Sequence, residues 1–113
     1  MDGRWKGSWH SHWNGHSGGL RGLLEARDGG RIHAWFFSTY GGILFFQNEV
    51  LFQGSPGDEG RIRFEGEQDL GKAIGGVYHY RGLVEGDRFH AHYRAENGDH
   101  GVFEMRRVAK RDG

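Results

Sequence analysis

The stretch "EGDRFHAHYRAENGDHGVFEM" (85–105) contains two short segments on either side of a turn. In the first segment an apolar or aromatic residue occupies every second position: Phe89, Ala91 and Tyr93. Alternation with a period of two is typical of a β-strand that buries one face. Asn97-Gly98 supplies the positive φ values that a tight hairpin requires. The stretch therefore predicts an antiparallel hairpin with one apolar face.

The earlier stretch "DGGRIHAWFFSTYGGILFF" (28–46) repeats this pattern. Each stretch passes from a turn through Arg, an apolar residue and His-Ala to an aromatic residue, and then to a second turn. The places of Phe89, Ala91 and Tyr93 are taken by Ile32, Ala34 and Phe36. We predict that these positions face inward and that the alternating histidines, His33, His90 and His92, face the solvent.

The first predicted strand, "RWKGSWHSHW" (4–13), divides in the same way. Trp5, Trp9 and Trp13 share one face of the strand, and His10 and His12 share the other. The pattern predicts tryptophans inside the fold and histidines outside.

Pairs of Gly, Asp and Asn cut the whole chain at near-regular intervals. We predict eight strands, near residues 4–13, 19–27, 31–39, 43–53, 60–67, 73–83, 88–95 and 101–109. Eight antiparallel strands joined by short turns can close into a barrel that has no exposed edge. The predicted fold is all-β, with a single domain over residues 1–113 that forms one eight-stranded antiparallel up-and-down barrel. A five-stranded oligonucleotide-binding barrel fits less well, because it needs fewer strands and a capping helix.

Composition limits the classes of function. Fifteen basic and fifteen acidic residues balance, so nothing steers the protein toward nucleic acid or an anionic membrane. The absence of cysteine excludes disulfides and thiolate metal sites. No segment reads as a signal peptide or a transmembrane helix. We therefore expect a cytoplasmic protein with neither a nucleic-acid partner nor a membrane partner.

Gly7-Ser8-Trp9 on the first strand and Arg106-Arg107 on the last resemble the calycin pattern shared by lipocalins, fatty-acid-binding proteins and avidins. In that family an arginine of the closing strand packs over the tryptophan of the opening strand. The resemblance implies a calycin-like barrel in which Arg106 or Arg107 covers Trp9.

A second resemblance, to small uncharacterised bacterial proteins, extends over nearly the whole chain. It rests on four motifs: Gly7-Ser8-Trp9, "NGHSGGLRG" (14–22), "LGKAIGGVYHYRG" (70–82) and "DHGVFEMRR" (99–107). This resemblance implies the barrel and no activity.

An eight-stranded barrel has an interior that side chains fill or that holds one small ligand. We predict that a small hydrophobic or aromatic molecule binds among inward aromatic residues and a few polar anchors: Trp9, Trp13, Phe36, Tyr78, Tyr80, Phe89, Tyr93 and Arg106. Asn14 and His16 are predicted at the rim, although Asn14-Gly15 is also ordinary hairpin chemistry.

Two alternatives stay open beside ligand binding. Aromatic residues could fill the barrel completely and leave a structural or interaction module, and outward Trp35 and Phe37 could then pair copies of the chain in a homo-oligomer. Haem or a divalent metal is the other alternative. The pairs His10/His12 and His90/His92 could chelate a metal only on neighbouring strands, and haem would need His33, His90 or His92 inside. Neither a metal site nor a cofactor is predicted.

The sequence favours a binding protein over an enzyme, and no catalytic residue is predicted. No nucleophile elbow precedes a helix, and the carboxylates lie mostly at turns. An acid–base set of His16, Asp99 and His100 is allowed only if their hairpins share one end of the barrel.

Overall fold

A computed structural model describes residues 2–40, 44–56, 61–72 and 75–108. Within these ranges the chain forms eight strands: β1 (Gly3–Ser11), β2 (Ser17–Ala26), β3 (Arg31–Tyr40), β4 (Leu44–Pro56), β5 (Arg61–Asp69), β6 (Val77–Glu85), β7 (Arg88–Ala95) and β8 (His100–Arg107). Each strand pairs antiparallel with the next, and β1 pairs with β8, so the sheet closes. The predicted eight-stranded antiparallel barrel is confirmed.

Alternation along the strands decides which side chains fill the barrel. On β7 the burial pattern switches at every residue, with Phe89, Ala91, Tyr93 and Ala95 buried. On β3 the buried residues are Ile32, Ala34 and Phe36. The inward positions predicted from the two similar stretches are therefore correct.

The first strand ends two residues earlier than predicted. Ser11 is fully buried, and its Oγ accepts hydrogen bonds from the backbone N–H groups of Trp13 and Asn14, which turns the chain out of the strand. Trp13 consequently lies in the turn and is 53% exposed, so the prediction that it faces inward is wrong. Trp5 and Trp9 do lie on the inner face, and Trp5 is 1% exposed.

The two ends of the barrel differ. The end that holds the start of β1 and the end of β8 is filled by apolar side chains, and we call it the sealed end. Its buried residues are Trp5, Leu24, Ile32, Val84, Phe89 and Met105. The opposite end carries the turns after β1, β5 and β7, and we call it the tyrosine end.

An arginine of the last strand packs over a tryptophan of the first strand at the sealed end. The guanidinium of Arg107 lies 5.3 Å from the centre of the Trp5 ring, within the range of a cation–π contact. Its Nε lies 3.5 Å from Oδ1 of Asp87. The implied arginine–tryptophan contact therefore exists, but with Trp5 in place of Trp9.

Arg106 does not enter the interior. It pairs across the sheet with Lys6 and is exposed, because the strand alternation that points Met105 and Arg107 inward points Arg106 outward. The prediction that Arg106 is an interior anchor is wrong.

Inward glycines make room for rings from the neighbouring strand. Gly82 on β6 lies opposite Phe64 on β5, and a β-carbon at this position would overlap the Phe64 ring and the backbone oxygen of His90. The small residue lets the aromatic side chain lie flat over the sheet.

No helix in the described part of the chain is long and apolar enough to span a membrane.

Gly82→Ala is expected to lower the free energy of unfolding by about 2–3 kcal/mol, because the added methyl overpacks a filled interior. The control is Gly19→Ala on the outer face, where a β-carbon meets only the Thr39 hydroxyl at 3.3 Å. The control should change stability by about 0.5 kcal/mol or less. Urea unfolding measures both, and equal losses in the two variants would contradict this packing.

Candidate functional site

Three tyrosines from two adjacent strands form the inner wall of the tyrosine end. The ring centres of Tyr78 and Tyr80 lie 6.3 Å apart with the rings nearly parallel, and those of Tyr78 and Tyr93 lie 5.9 Å apart. Tyr80 and Tyr93 are buried, whereas Tyr78 is half-buried. Alternation places all three side chains on the inner face, as the sequence predicts.

The carboxylate of Asp99 connects this wall to the first strand. Its Oδ1 accepts a hydrogen bond from Ser11 Oγ at 2.6 Å and another from the Tyr93 hydroxyl at 3.2 Å. Because the Ser11 oxygen also accepts from the turn after β1, one buried hydroxyl joins the β1–β2 turn to the β7–β8 turn. Two turns of the tyrosine end are thereby fixed relative to each other.

Polar side chains from β4 and β5 complete the inner surface. The Asn48 amide hydrogen-bonds the phenol of Tyr80 and donates from Nδ2 to Oε1 of Gln68 at 2.8 Å. Gln68 in turn donates to the backbone oxygen of Glu49. The tyrosine end therefore presents hydroxyl, amide and carboxylate groups, while the sealed end is apolar.

Burial raises the pKa of all three phenols above their usual value near 10. For Tyr80 the neighbouring phenols raise the pKa further, and the Asn48 hydrogen bond partly opposes the effect. For Tyr78 and Tyr93 the negative charge of Asp99 adds to the burial. All three hydroxyls therefore remain protonated at neutral pH, and that of Tyr93 donates its proton to Asp99.

The middle of the barrel is filled with rings. Phe36 contacts Phe52, Phe89 and Phe103 at centre distances of 5.6–6.3 Å. Phe64 and Phe89 lie 4.8 Å apart. Phe36 and Phe89, predicted to bind a ligand, are thus members of the core.

A concavity of about 1340 Å³ is open to solvent, and outward-facing residues form most of its lining. They include His79, Arg81, His92 and Arg94. This space lies mainly on the outside of the barrel wall and does not form an internal chamber.

The remaining predicted residues lie around the tyrosine end in different settings. Trp9 is half-buried, and its indole N–H donates to the backbone oxygen of Thr39 at 3.0 Å. Asn14 Oδ1 accepts from the backbone N–H of His16 at 2.9 Å, which is the geometry of an Asx turn, and Gly15 has a φ of 77°. The structural interpretation of this rim, as ordinary hairpin chemistry, accounts for these contacts.

The turns that carry His16, Asp99 and His100 lie at the same end of the barrel. Asp99 binds Ser11 and Tyr93, and the His100 ring instead contacts the Gly98 carbonyl oxygen through Nδ1 at 3.0 Å.

The histidines named for haem lie on the outer face, because Ile32, Phe89 and Ala91 occupy the inner face of their strands. His33, His90 and His92 are therefore not positioned as axial ligands inside the barrel. In the described part of the chain, no group of three or more His, Asp or Glu side chains converges as a ligand set.

Sequence reasoning missed Asn48 and Gln68. Both occupy inward positions, two residues from Val50 and four from Phe64 respectively, so they interrupt apolar series. The signal available in the sequence was a polar residue at an inward-facing position of an otherwise apolar alternation.

No protein-family model and no curated protein matches the chain.

Ser11→Ala is expected to lower the free energy of unfolding by about 1–3 kcal/mol, because two turn N–H groups and Asp99 lose a buried partner. Ser8→Ala, on the exposed face of the same strand, is the control and should be nearly neutral. Thermal or urea unfolding measures the difference, and a neutral Ser11→Ala would show that the hydroxyl does not hold the two turns.

Stability is expected to fall as the pH rises above about 10. Unfolded tyrosine loses its proton near pH 10, whereas the buried phenols keep theirs, so the unfolded state binds fewer protons and alkali favours it. Tyr80→Phe removes one raised pKa and should reduce this fall. Urea midpoints between pH 8 and 11 measure the slope, with phenolate absorbance recorded in parallel. If stability fell equally with pH in both proteins, the result would contradict a raised pKa for Tyr80.

Proposed function

We propose that the protein is a calycin-like barrel that binds a small, neutral aromatic molecule at the tyrosine end. The observation that supports this most is the grouping of three protonated phenols at one end of a barrel whose other end is packed shut. Polar groups at the edge of an apolar surface are what orients a bound small molecule. A cytoplasmic location is part of the proposal.

Charge and shape narrow the class of ligand. The half-buried Tyr78 ring lies 5.9 Å from that of Tyr93, and aromatic pairs prefer offset or edge contacts at such distances. Asp99 carries the negative charge of this inner surface, so a carboxylate ligand would be repelled. A neutral ring with a group that both donates and accepts hydrogen bonds, such as an aromatic amide, fits both conditions.

Because phenylalanines fill the middle, the ligand would bind in the mouth of the barrel. Tyr80 and Phe103, whose ring centres lie 5.9 Å apart, are buried among the core rings. This proposal is narrower than the predicted ligand set, since Phe36, Phe89 and Arg106 no longer take part.

Benzamide and indole are suitable probes, and binding is measured by calorimetry and by the NMR shifts of the tyrosine rings. Tyr93→Phe keeps the ring and removes the hydroxyl oxygen, which can accept from the benzamide N–H while its own proton is donated to Asp99. The variant should therefore weaken benzamide binding by about 3–10-fold, the worth of one hydrogen bond. Phe37→Leu, on the outer face, is the matched control and should bind normally. A probe at a hundred times its dissociation constant should stabilise the fold by about 2.7 kcal/mol.

Benzoate tests the contribution of Asp99. It should bind more weakly than benzamide to the natural chain, and Asp99→Asn should reduce the difference. The absence of binding by either neutral probe at millimolar concentration would overturn the proposal and favour the filled-barrel alternative.

A second candidate function is an interaction module that pairs with a second copy of itself. An apolar patch lies on the outer face of β2, β3 and β4 and consists of Leu23, Trp35, Phe37 and Leu51. Phe37 is 45% exposed and Leu51 is 51% exposed. Contiguous apolar surface of this kind is characteristic of contact sites.

The charges beside the patch suit a symmetric pair. Arg21 lies next to Phe37 in the register, whereas Glu25 and Glu49 lie next to His33 and Trp35. A two-fold axis through the patch would bring Arg21 of one copy toward the carboxylates of the other.

Phe37→Arg should then abolish a dimer seen by sedimentation while leaving benzamide binding intact. A monomer at every concentration would remove this candidate.

A further inference from the structure

Histidines are concentrated on the outer surface around the closure of the barrel. The outer faces of β1, β6, β7 and β8, with the residue after β1, carry six of the eight histidines of the chain: His10, His12, His79, His90, His92 and His100. The pairs His10/His12 and His90/His92 are separated by β8, which lies between β1 and β7. They therefore do not form one cluster, and each pair is a distinct surface feature.

His90 and His92 have the geometry of a two-ligand chelate. Their side chains project from the same face of β7, and their Nε2 atoms lie 3.3 Å apart. A tetrahedral zinc ion with metal–nitrogen bonds of about 2.0–2.1 Å separates two ligand nitrogens by about 3.3 Å. The two nitrogens have the separation of two corners of a zinc coordination sphere, and a zinc ion would replace the hydrogen bond that they share here.

A carboxylate holds one of the rings in the orientation that metal binding needs. Glu104 lies directly across from His90 on β8, and its Oε1 is 3.0 Å from His90 Nδ1. With the Nδ1 proton donated to Glu104, the lone pair of His90 remains on Nε2, which faces His92. A carboxylate–histidine contact of this kind is the usual outer shell of a zinc ligand.

The strand limits the entropy lost on binding. β7 is paired on both sides along its length, with β6 and with β8, so the backbones of His90 and His92 are fixed. The His90 side chain is 47% exposed, which leaves the site open to an ion from solvent. Val102 and Arg81 flank His92 on the neighbouring strands, and the positive charge of Arg81 opposes a cation there. The negative charge of Glu104, opposite His90, favours one.

We propose that His90 and His92 form an exposed binding site for a divalent transition metal ion of the zinc class, with Glu104 as the outer-shell carboxylate. Water completes the coordination, since the described residues provide no third converging ligand. The site therefore binds and releases the metal ion reversibly, and it is separate from the tyrosine end.

Calorimetric titration of the whole chain with Zn²⁺ at pH 7.5 tests the proposal. The His90→Ala and His92→Ala variants should each lose most of the affinity with which the natural chain binds one equivalent of Zn²⁺. Glu104→Gln keeps both ligands and removes the outer-shell charge, so it should weaken binding by about tenfold. His10→Ala with His12→Ala is the matched control, because it removes the other strand pair and should leave this equivalent unchanged.

NMR of the histidine rings supplies a readout that does not depend on affinity. Zn²⁺ should shift Nε2 of His90 and His92 and leave the His90 Nδ1 proton in place. Circular dichroism of each variant checks that the barrel is intact, as expected for exposed side chains. The proposal is overturned if Zn²⁺ fails to bind at millimolar concentration, or if binding survives in the His90 and His92 variants and disappears in the control.

Discussion

The pairing of the first strand with the last is the constraint on which the rest of the structure depends. Seven residues from Trp5 to Ser11 pair with seven from Gly101 to Arg107. This register gives every strand two neighbours and fixes which residues face inward. A slip of one residue would turn the inner set outward, because side chains alternate with a period of two. Both ends of the barrel are anchored along this seam, through the Trp5–Arg107 contact and the Ser11–Asp99 hydrogen bond.

Alternation and turn chemistry were sufficient to predict the strand number, the topology and the inner face of β3 and β7. They failed where a local hydrogen bond overrides the pattern. The alternation of tryptophans continues to Trp13, but the chain leaves the strand at Ser11 because its hydroxyl accepts from the turn. The sequence alone could not decide whether Arg106 or Arg107 faces inward, since only the register with Trp5 determines this.

The candidate site was predictable to the extent that one strand determines it. Tyr78 and Tyr80 share a strand and a parity, so their common direction follows from the sequence. The contacts of Asp99 with Ser11, and of Asn48 with Tyr80, join strands that are distant in the chain. Such contacts depend on the tilt and register of a closed sheet, which composition and periodicity do not specify. The phenylalanine-filled centre likewise emerged only from the packing, and it confines any ligand to the mouth.

The start of β1 and the end of β8 lie side by side at the sealed end, where the backbone N–H of Val108 donates to the oxygen of Arg4 at 2.8 Å. A short peptide could join these two points without stretching the sheet, so a circularly permuted chain opened at an exposed hairpin such as Gly86 would keep the same strand order. Any domain or solid support tethered there would leave the tyrosine end unobstructed. The architecture thus separates such a tether from the proposed ligand site by the full height of the barrel.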